Sequence, residues 1–232
     1  LFRSRYLQAA FDVSAGSDVA VRLTQAQLQL KHGELEQGIR NLQRLYQESP
    51  KHPQVLRLLC TLYEVANDWK ELFTLLPALR TSQAISKETL ERLEKKGYPA
   101  LLPIYSEKGV KSLIAFWEDS PTSVQLHPPF IRDYAKLLIQ HEAHEEAEAV
   151  LRYALKKMWE EDLIRLYGLA AGRNAKKQLA FAESLLPEHF NNAILLLTIG
   201  RLAARNQLWG KAGDYLEKSL SLKPLEIGRA HV

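Results

Sequence analysis

The sequence predicts an all-α protein, a right-handed α-solenoid built from pairs of short helices folded back on each other. Apolar residues recur at helical spacing along most of the chain, and no alternating β-branched runs stand out. One spaced set of small and apolar residues also returns along the chain, which is typical of a repeat protein. We therefore expect each helix pair to bury its apolar face against its neighbours.

The clearest repeat unit spans residues 21–50 and contains two helices, A and B, joined by a turn at Gly33. Ala26 in helix A and Gly38 in helix B are small, which predicts that the two helices cross closely at these positions. Pro50 follows helix B and ends it, because proline has no backbone N–H to continue the hydrogen-bond ladder.

A second unit follows in the same phase, since Cys60 stands 34 residues after Ala26 and Asn67 stands 34 residues after Gly33. A period of this length with this helix-turn-helix template is the tetratricopeptide signature. We predict further copies after Pro128, of which the middle copy is shortened. Their small residues are Ala135, Ala147, Ala154, Ala175, Ala182, Gly200 and Ala212.

The repeat pattern is interrupted between the second and third full units. Ser86 is a good N-cap for a helix, and Gly97 with Pro99 should kink or split that helix. A short helix over 109–118 and a loop over 119–129 are expected to follow. The predicted segments are N-terminal repeat units over 1–82, a kinked helical insert and loop over 83–127, C-terminal repeat units over 128–224, and a non-native tail over 225–232.

The composition excludes several classes of protein. The chain has 232 residues, of which 46% are hydrophobic, so it is too apolar to be disordered. Its net charge of +4 is mild, and basic residues alternate with acidic ones, so we predict no nucleic-acid partner. A single cysteine excludes a disulfide framework. No apolar run is long enough to predict a membrane span within these residues.

The sequence shows no pattern that indicates catalysis or a bound cofactor. His141 and His144 stand near acidic residues, but the order typical of a zinc protease is absent, which favours a solvated turn over a metal site. Cys60 occupies the position of Ala26, which favours a small buried packing residue. Phosphate-binding glycine loops are missing. The bulky aromatic residues at core spacings are predicted to pack inside, and they are Tyr63, Trp69, Trp117, Tyr134 and Trp209.

The remaining candidate is a surface. In such a solenoid the A helices line the concave face, which usually binds a partner. The predicted partner-binding residues there are Arg57, Arg132, Lys136, Arg201 and Arg205. Such cations could hold a peptide carboxylate or an acidic segment, although an ordinary solvated helix surface is the simpler interpretation. Peptide-binding tetratricopeptide domains also use clamp asparagines, but Thr61, Lys136 and Arg201 stand where one such asparagine would be.

Three stretches in this order resemble one family beyond the generic repeat. They are LTQAQLQLKHGELEQGIRNLQRLYQESPKHPQVLRLLCTLYEVANDWKELFTLLP, the insert GVKSLIAFWEDSP, and LLLTIGRLAARNQLWGKAGDYLEKSLSLKP after the shortened unit. Together they resemble the cytoplasmic tetratricopeptide region of the HemY family of Gram-negative bacteria. The resemblance covers residues 1–224.

The resemblance implies a non-catalytic scaffold or regulator associated with late haem biosynthesis, with haem-pathway enzymes as its protein partners. It also implies an inner-membrane protein whose N-terminal membrane anchor is missing here, with this region in the cytoplasm. It supplies no catalytic residues. Two alternatives stay open: a haem- or porphyrin-binding chaperone with His141, His144 or tyrosine residues as axial ligands, and a generic peptide-binding co-chaperone.

Overall fold

The computed structural model describes residues 19–29 and 32–222, and within these ranges the regular structure is helical, with no β-strand. The all-α prediction is therefore confirmed for the part of the chain that is described. The chain divides into two compact units between Gly97 and Tyr98, here called unit 1 and unit 2. The predicted tail over 225–232 lies outside the described residues, and the predicted segment boundaries stay predictions.

Unit 1 contains helix α1 over residues 19–29, α2 (Leu35–Glu48), α3 (Pro53–Val65), α4 (Trp69–Ser82) and the first part of α5 (Lys87–Glu107). The first two helices run antiparallel, as the repeat predicts. Gln29, near the end of α1, accepts a hydrogen bond of 2.8 Å from Asn41 early in α2. Arg22, near the start of α1, donates to Glu48 at the end of α2.

The turns of unit 1 follow from local chemistry. Gly33 has a φ of +83°, a left-handed conformation that glycine adopts at little cost. The equivalent turn before α4 places Asn67 at a φ of +54°, and asparagine tolerates this region better than most residues. Asp68 then caps α4, because its side chain accepts a hydrogen bond of 3.1 Å from the backbone N–H of Glu71.

The small residues predicted to mark close helix crossings are buried in unit 1. Ala26, Gly38 and Cys60 all lie in the interior. Around them the core is mostly leucine, with Leu42, Leu45, Leu56, Leu59, Leu72, Leu75 and Leu79 fully buried. At about 1.5–3 kcal/mol for each leucine side chain removed from water, this layer holds α2, α3 and α4 together.

Helix α5 is not split, so the expectation of a split near Gly97 and Pro99 was wrong. It runs without a break from Lys87 to Glu107, with Pro99 and Pro103 inside it. A proline inside a helix costs about 3 kcal/mol, because it removes a hydrogen bond and crowds the preceding turn. The helix persists because its apolar face is buried at Leu93, Leu101 and Leu102, and burying each leucine contributes about 1.5–3 kcal/mol.

Unit 2 holds the rest of α5 and nine further helices within the described residues. They are α6 (Val110–Glu118), α7 (Thr122–Gln125), α8 (Pro128–Gln140), α9 (His144–Leu155), α10 (Glu161–Leu169), α11 (Ala175–Ser184), α12 (Leu186–His189), α13 (Ala193–Arg205) and α14 (Trp209–Leu222). The stretch over 119–129 is therefore not entirely a loop. Pro121 fixes the backbone ahead of the short helix α7, and Pro128 begins α8, because proline suits the first turn of a helix.

The predicted burial of the aromatic residues is confirmed for Tyr63 and Tyr134. Trp117 is partly buried, and its ring stacks on that of Tyr134 at 4.2 Å between centroids. The prediction is wrong for Trp209, which is 69% exposed. The equivalent Trp69 is partly covered, because Gly97 of α5 lies against its ring, whereas no described element covers Trp209 in that way.

Candidate protein-interaction surface

Three A helices of unit 2 lie in sequence beside one another, because α10 contacts both α8 and α13. The B helices α9 and α11 each pack against the A helix that follows, which is α10 for α9 and α13 for α11. The described residues thus form tetratricopeptide-like helix pairs, confirming the predicted repeat. We call the solvent-facing side of α8, α10 and α13 the A-helix surface of unit 2.

The closeness of the helix pairs depends on residues without a large side chain. Gly200 of α13 packs directly against α14. A Cβ placed on it would lie 2.8 Å from two side-chain carbons of Leu216 and 3.4 Å from the carbonyl oxygen of Ala212. In the pair formed by α8 and α9, the equivalent Ala135 and Ala147 are fully buried. The sequence prediction of close crossings at these positions is confirmed.

A buried hydroxyl group joins two neighbouring A helices, α10 and α13. Thr198 of α13 is fully buried, and its hydroxyl donates a hydrogen bond of 2.9 Å to the carbonyl oxygen of Ile164 in α10. The same side chain fills the space beside Gly168, where a Cβ would lie 3.1 Å from it. This contact fixes which side chains of α10 and α13 come together on the A-helix surface.

One predicted partner-binding residue has an internal role. Arg205 donates a hydrogen bond of 2.7 Å to the carbonyl oxygen of Ala170, and its other nitrogen lies 3.4 Å from the carbonyl oxygen of Gly168. These carbonyls belong to the C-terminal end of α10, which carries the negative end of the helix dipole. Burial lowers the pKa of Arg205. Its guanidinium group therefore caps α10.

Two more of the predicted cations are also engaged within their own units. Arg132 pairs with Asp133 at 2.9 Å and approaches Asp162 at 3.8 Å, and the hydrogen bond to Asp133 raises the pKa of Arg132. In unit 1, Arg57 donates a hydrogen bond of 3.1 Å to the carbonyl oxygen of Ala84. A ligand would have to compete with these contacts.

The other two predicted residues present their charges without a hydrogen-bond or ion-pair partner in the described part of the chain. Lys136 is exposed on α8, and Arg201 is partly buried on α13. Burial lowers the pKa of Arg201, and the positive charge of Arg165 on the adjacent helix α10 lowers it further. Arg165 was missed from the sequence, because it lies on the helix of the shortened unit, where the repeat register is least clear.

Cys60, the one side chain considered as a nucleophile, is buried in the interior of unit 1 and does not line an open cleft. Cys60 is 4% exposed, and burial raises the pKa of its thiol to about 11. The thiol is therefore neutral near pH 7, whereas a nucleophilic cysteine needs its thiolate. The interpretation of Cys60 as a packing residue agrees with this burial.

The histidines at the turn between α8 and α9 are arranged differently from a metal site. His141 Nε2 lies 2.7 Å from the hydroxyl oxygen of Ser106, which occupies one of its ring nitrogens. Nδ1 of His144 is buried and has no hydrogen-bond partner within the part of the chain that the structure describes. Over residues 19–29 and 32–222 no three histidine, cysteine or acidic residues come together as a metal site. Haem binding through these histidines stays a prediction.

Sequence comparison finds relatives over nearly the whole chain. Protein HemY of Escherichia coli strain K12 is 20% identical over 226 residues, which cover 95% of this chain and 56% of that protein. HemY of Shigella flexneri matches to the same extent. The chain resembles HemY. It spans about half the length of these curated HemY proteins, so the resemblance concerns that half only. No protein-family model matches the chain.

Solved structures with a similar arrangement include BtubC from P. vanneervenii, which is 14% identical with a TM-score of 0.42 and coverage of 89% of this chain and 91% of that chain. A tetratricopeptide repeat protein from Parabacteroides merdae is 13% identical with a TM-score of 0.34, covering 88% and 78%. At such scores the tetratricopeptide-like repeat assignment rests on the helix pairs themselves. None of the helices described here has the length and apolarity that crossing a membrane requires.

Proposed function

We propose that this chain is a non-catalytic protein-interaction scaffold or regulator that acts in late haem biosynthesis at the bacterial inner membrane. One observation carries the proposal: the A-helix surface of unit 2 presents Lys136, Arg165 and Arg201 without a hydrogen-bond or ion-pair partner among the described residues. Packed helix pairs provide a preorganised platform, which lowers the entropic cost of binding a partner segment.

The haem-pathway part of the proposal is supported by the resemblance to HemY over 95% of the chain. In this proposal the partners are haem-pathway enzymes, and a membrane anchor elsewhere in the full-length protein holds the repeat region at the cytoplasmic side of the inner membrane. The chain contributes binding and positioning, and the partner enzymes contribute the chemistry.

The proposal is tested by affinity capture from detergent-solubilised Escherichia coli membranes, with the chain as immobilised bait. The test variant carries Lys136→Ala and Arg201→Ala. Its matched control carries Arg173→Ala and Lys176→Ala, which remove the same charge near helix α11 and affect exposed residues. Captured proteins are quantified by mass spectrometry.

We expect the wild-type and control baits to enrich haem-pathway enzymes and the test variant to lose that enrichment. Enrichment by all three baits would support a scaffold but place the contact outside the A-helix surface of unit 2. If the wild-type bait enriches no haem-pathway enzyme, the proposed pathway role is wrong.

A further inference from the structure

Among the described residues, one arginine is partly buried without a counter-charge. In residues 19–29 and 32–222, four arginines are partly buried: Arg22, Arg132, Arg152 and Arg201. The first three pair with Glu48, Asp133 and Glu148 respectively. Arg201 has no such partner in the described residues, although burying a charge without a partner is unfavourable.

A second positive charge adds to the cost of burying Arg201. Arg165 on the adjacent helix α10 is also positive, and its charge lowers the pKa of Arg201. Arg165 is exposed and likewise makes no ion pair within the described part of the molecule. Arg165 directly follows Ile164, whose carbonyl oxygen accepts the hydrogen bond from Thr198, and Arg201 lies three residues after Thr198 on α13. The two positive side chains therefore stand on adjacent helices at the contact between α10 and α13, and their charges repel each other.

Acidic residues in the neighbourhood do not compensate for this repulsion. Helix α13 contains no aspartate or glutamate. The two acidic residues of α10 have other partners, because Glu161 accepts a hydrogen bond from Asn192 and Asp162 pairs with Arg132. Arg205, farther along α13, adds another positive charge that is directed at backbone carbonyls. This part of the surface therefore carries uncompensated positive charge.

A bound carboxylate would neutralise the positive charge of Arg165 and Arg201 and offset their repulsion. A guanidinium group matches a carboxylate with two parallel hydrogen bonds, and two adjacent guanidinium groups can hold one acidic side chain or two consecutive ones. Lys136 is exposed on α8, which also contacts α10, so the positive charge extends along the row of A helices. A row of this kind suits an extended peptide lying across the helices.

We propose that the A-helix surface of unit 2 binds an acidic peptide segment of a partner protein, with Arg165 and Arg201 as its carboxylate-binding pair. This proposal rests on the proposed function and adds the chemistry of the partner. A nucleic acid would require a longer basic stripe than this one, and the net charge of the whole chain is only +4.

The test is fluorescence anisotropy with the full chain and a fluorescein-labelled peptide of alternating glutamate and serine. A second peptide with glutamine in place of each glutamate controls for carboxylate recognition. The variants are Arg165→Gln and Arg201→Gln. Arg173→Gln is the matched control, because it removes the same charge from an exposed position just before helix α11.

We expect the acidic peptide to bind and the glutamine peptide not to bind. Each of Arg165→Gln and Arg201→Gln should weaken binding about 10-fold, equivalent to about 1.4 kcal/mol, whereas Arg173→Gln should leave it nearly unchanged. Arg201→Lys should retain part of the affinity, since it keeps the charge but loses the planar fork. Added salt should weaken binding to the wild-type chain.

A separate measurement distinguishes binding from a structural role. Arg201→Gln removes a repulsive charge, so its urea midpoint of unfolding should be equal to or above that of the wild type. A lower midpoint would assign Arg201 to the fold and overturn the proposal. Absence of binding by the wild-type chain, or an equal loss in Arg173→Gln, would overturn it as well.

The two proposals fail in different ways. If the Arg165→Gln and Arg201→Gln baits still enrich haem-pathway enzymes, the scaffold function stands and the acidic-peptide site is wrong. If the acidic peptide binds through Arg165 and Arg201 but no haem-pathway enzyme is captured, the site stands and the pathway assignment is wrong.

Discussion

Replacing Gly200 by alanine should show that steric crowding between α13 and α14 affects the stability of the chain more than the helix propensity of residue 200 does. Alanine is favoured over glycine inside a helix by about 1 kcal/mol. However, the new Cβ would lie 2.8 Å from Cγ and Cδ2 of Leu216, closer than real carbon atoms approach. Relieving such a contact costs about 1–3 kcal/mol. We therefore expect Gly200→Ala alone to be neutral or destabilising by up to about 2 kcal/mol.

The reasoning predicts a change of sign when Leu216 is shortened. Leu216→Ala removes Cγ and Cδ2, the two atoms that the new Cβ would approach most closely. The difference in helix propensity between glycine and alanine then decides the effect of Gly200→Ala. In this background Gly200→Ala should stabilise the chain by about 1 kcal/mol. The coupling energy between the two positions is then about 1–3 kcal/mol, which a double-mutant cycle isolates.

The assay is urea unfolding of the four proteins of this cycle, followed by circular dichroism at a helical wavelength. A difference in midpoint at constant slope reports the change in the free energy of unfolding. If Gly200→Ala stabilises the wild type and the Leu216→Ala background equally, the close crossing does not constrain this helix pair, and the reasoning is refuted.

Three further perturbations test other parts of the structure. Ala147→Trp should destabilise the α8–α9 pair by about 1–3 kcal/mol or more, because Ala147 is fully buried. Ala149→Trp, at an exposed position of the same helix, is the control and should not destabilise it. Equal melting temperatures for the two variants would contradict the assignment of Ala147 to a close helix crossing. Burial raises the pKa of the Cys60 thiol from 9.0 to about 11, so as the pH rises the unfolded chain loses the thiol proton at a lower pH than the folded chain does. The free energy of unfolding of the wild type should therefore fall by up to about 3 kcal/mol between pH 9 and pH 11. Urea unfolding across this pH range should show a smaller fall in the free energy of unfolding for Cys60→Ala than for the wild type. The same dependence on pH in both proteins would contradict the burial argument. Arg205→Met should lower the free energy of unfolding by about 1–2 kcal/mol by uncapping α10, and an unchanged urea midpoint would show that this cap is unimportant.

The sequence by itself determined the repeated helix pairs and the positions where their helices cross. These features depend on local spacing, since Ala26, Cys60, Ala135 and Gly200 recur at one place in the repeat and a small side chain there permits close packing. Helix periodicity and turn residues such as Gly33 act over a few positions, so they can be recognised without a structure. The error at α5 arose where burial of leucines outweighed the local effect of two prolines.

Only the tertiary structure decided which charges are available for a partner. Arg57 and Arg205 looked alike from the sequence, but their carbonyl partners lie 27 and 35 residues away along the chain. The pairing of Arg165 with Arg201 depends in the same way on how α10 packs against α13 through Thr198. Such long-range contacts follow from the packing of whole helices, and no local spacing in the sequence encodes them.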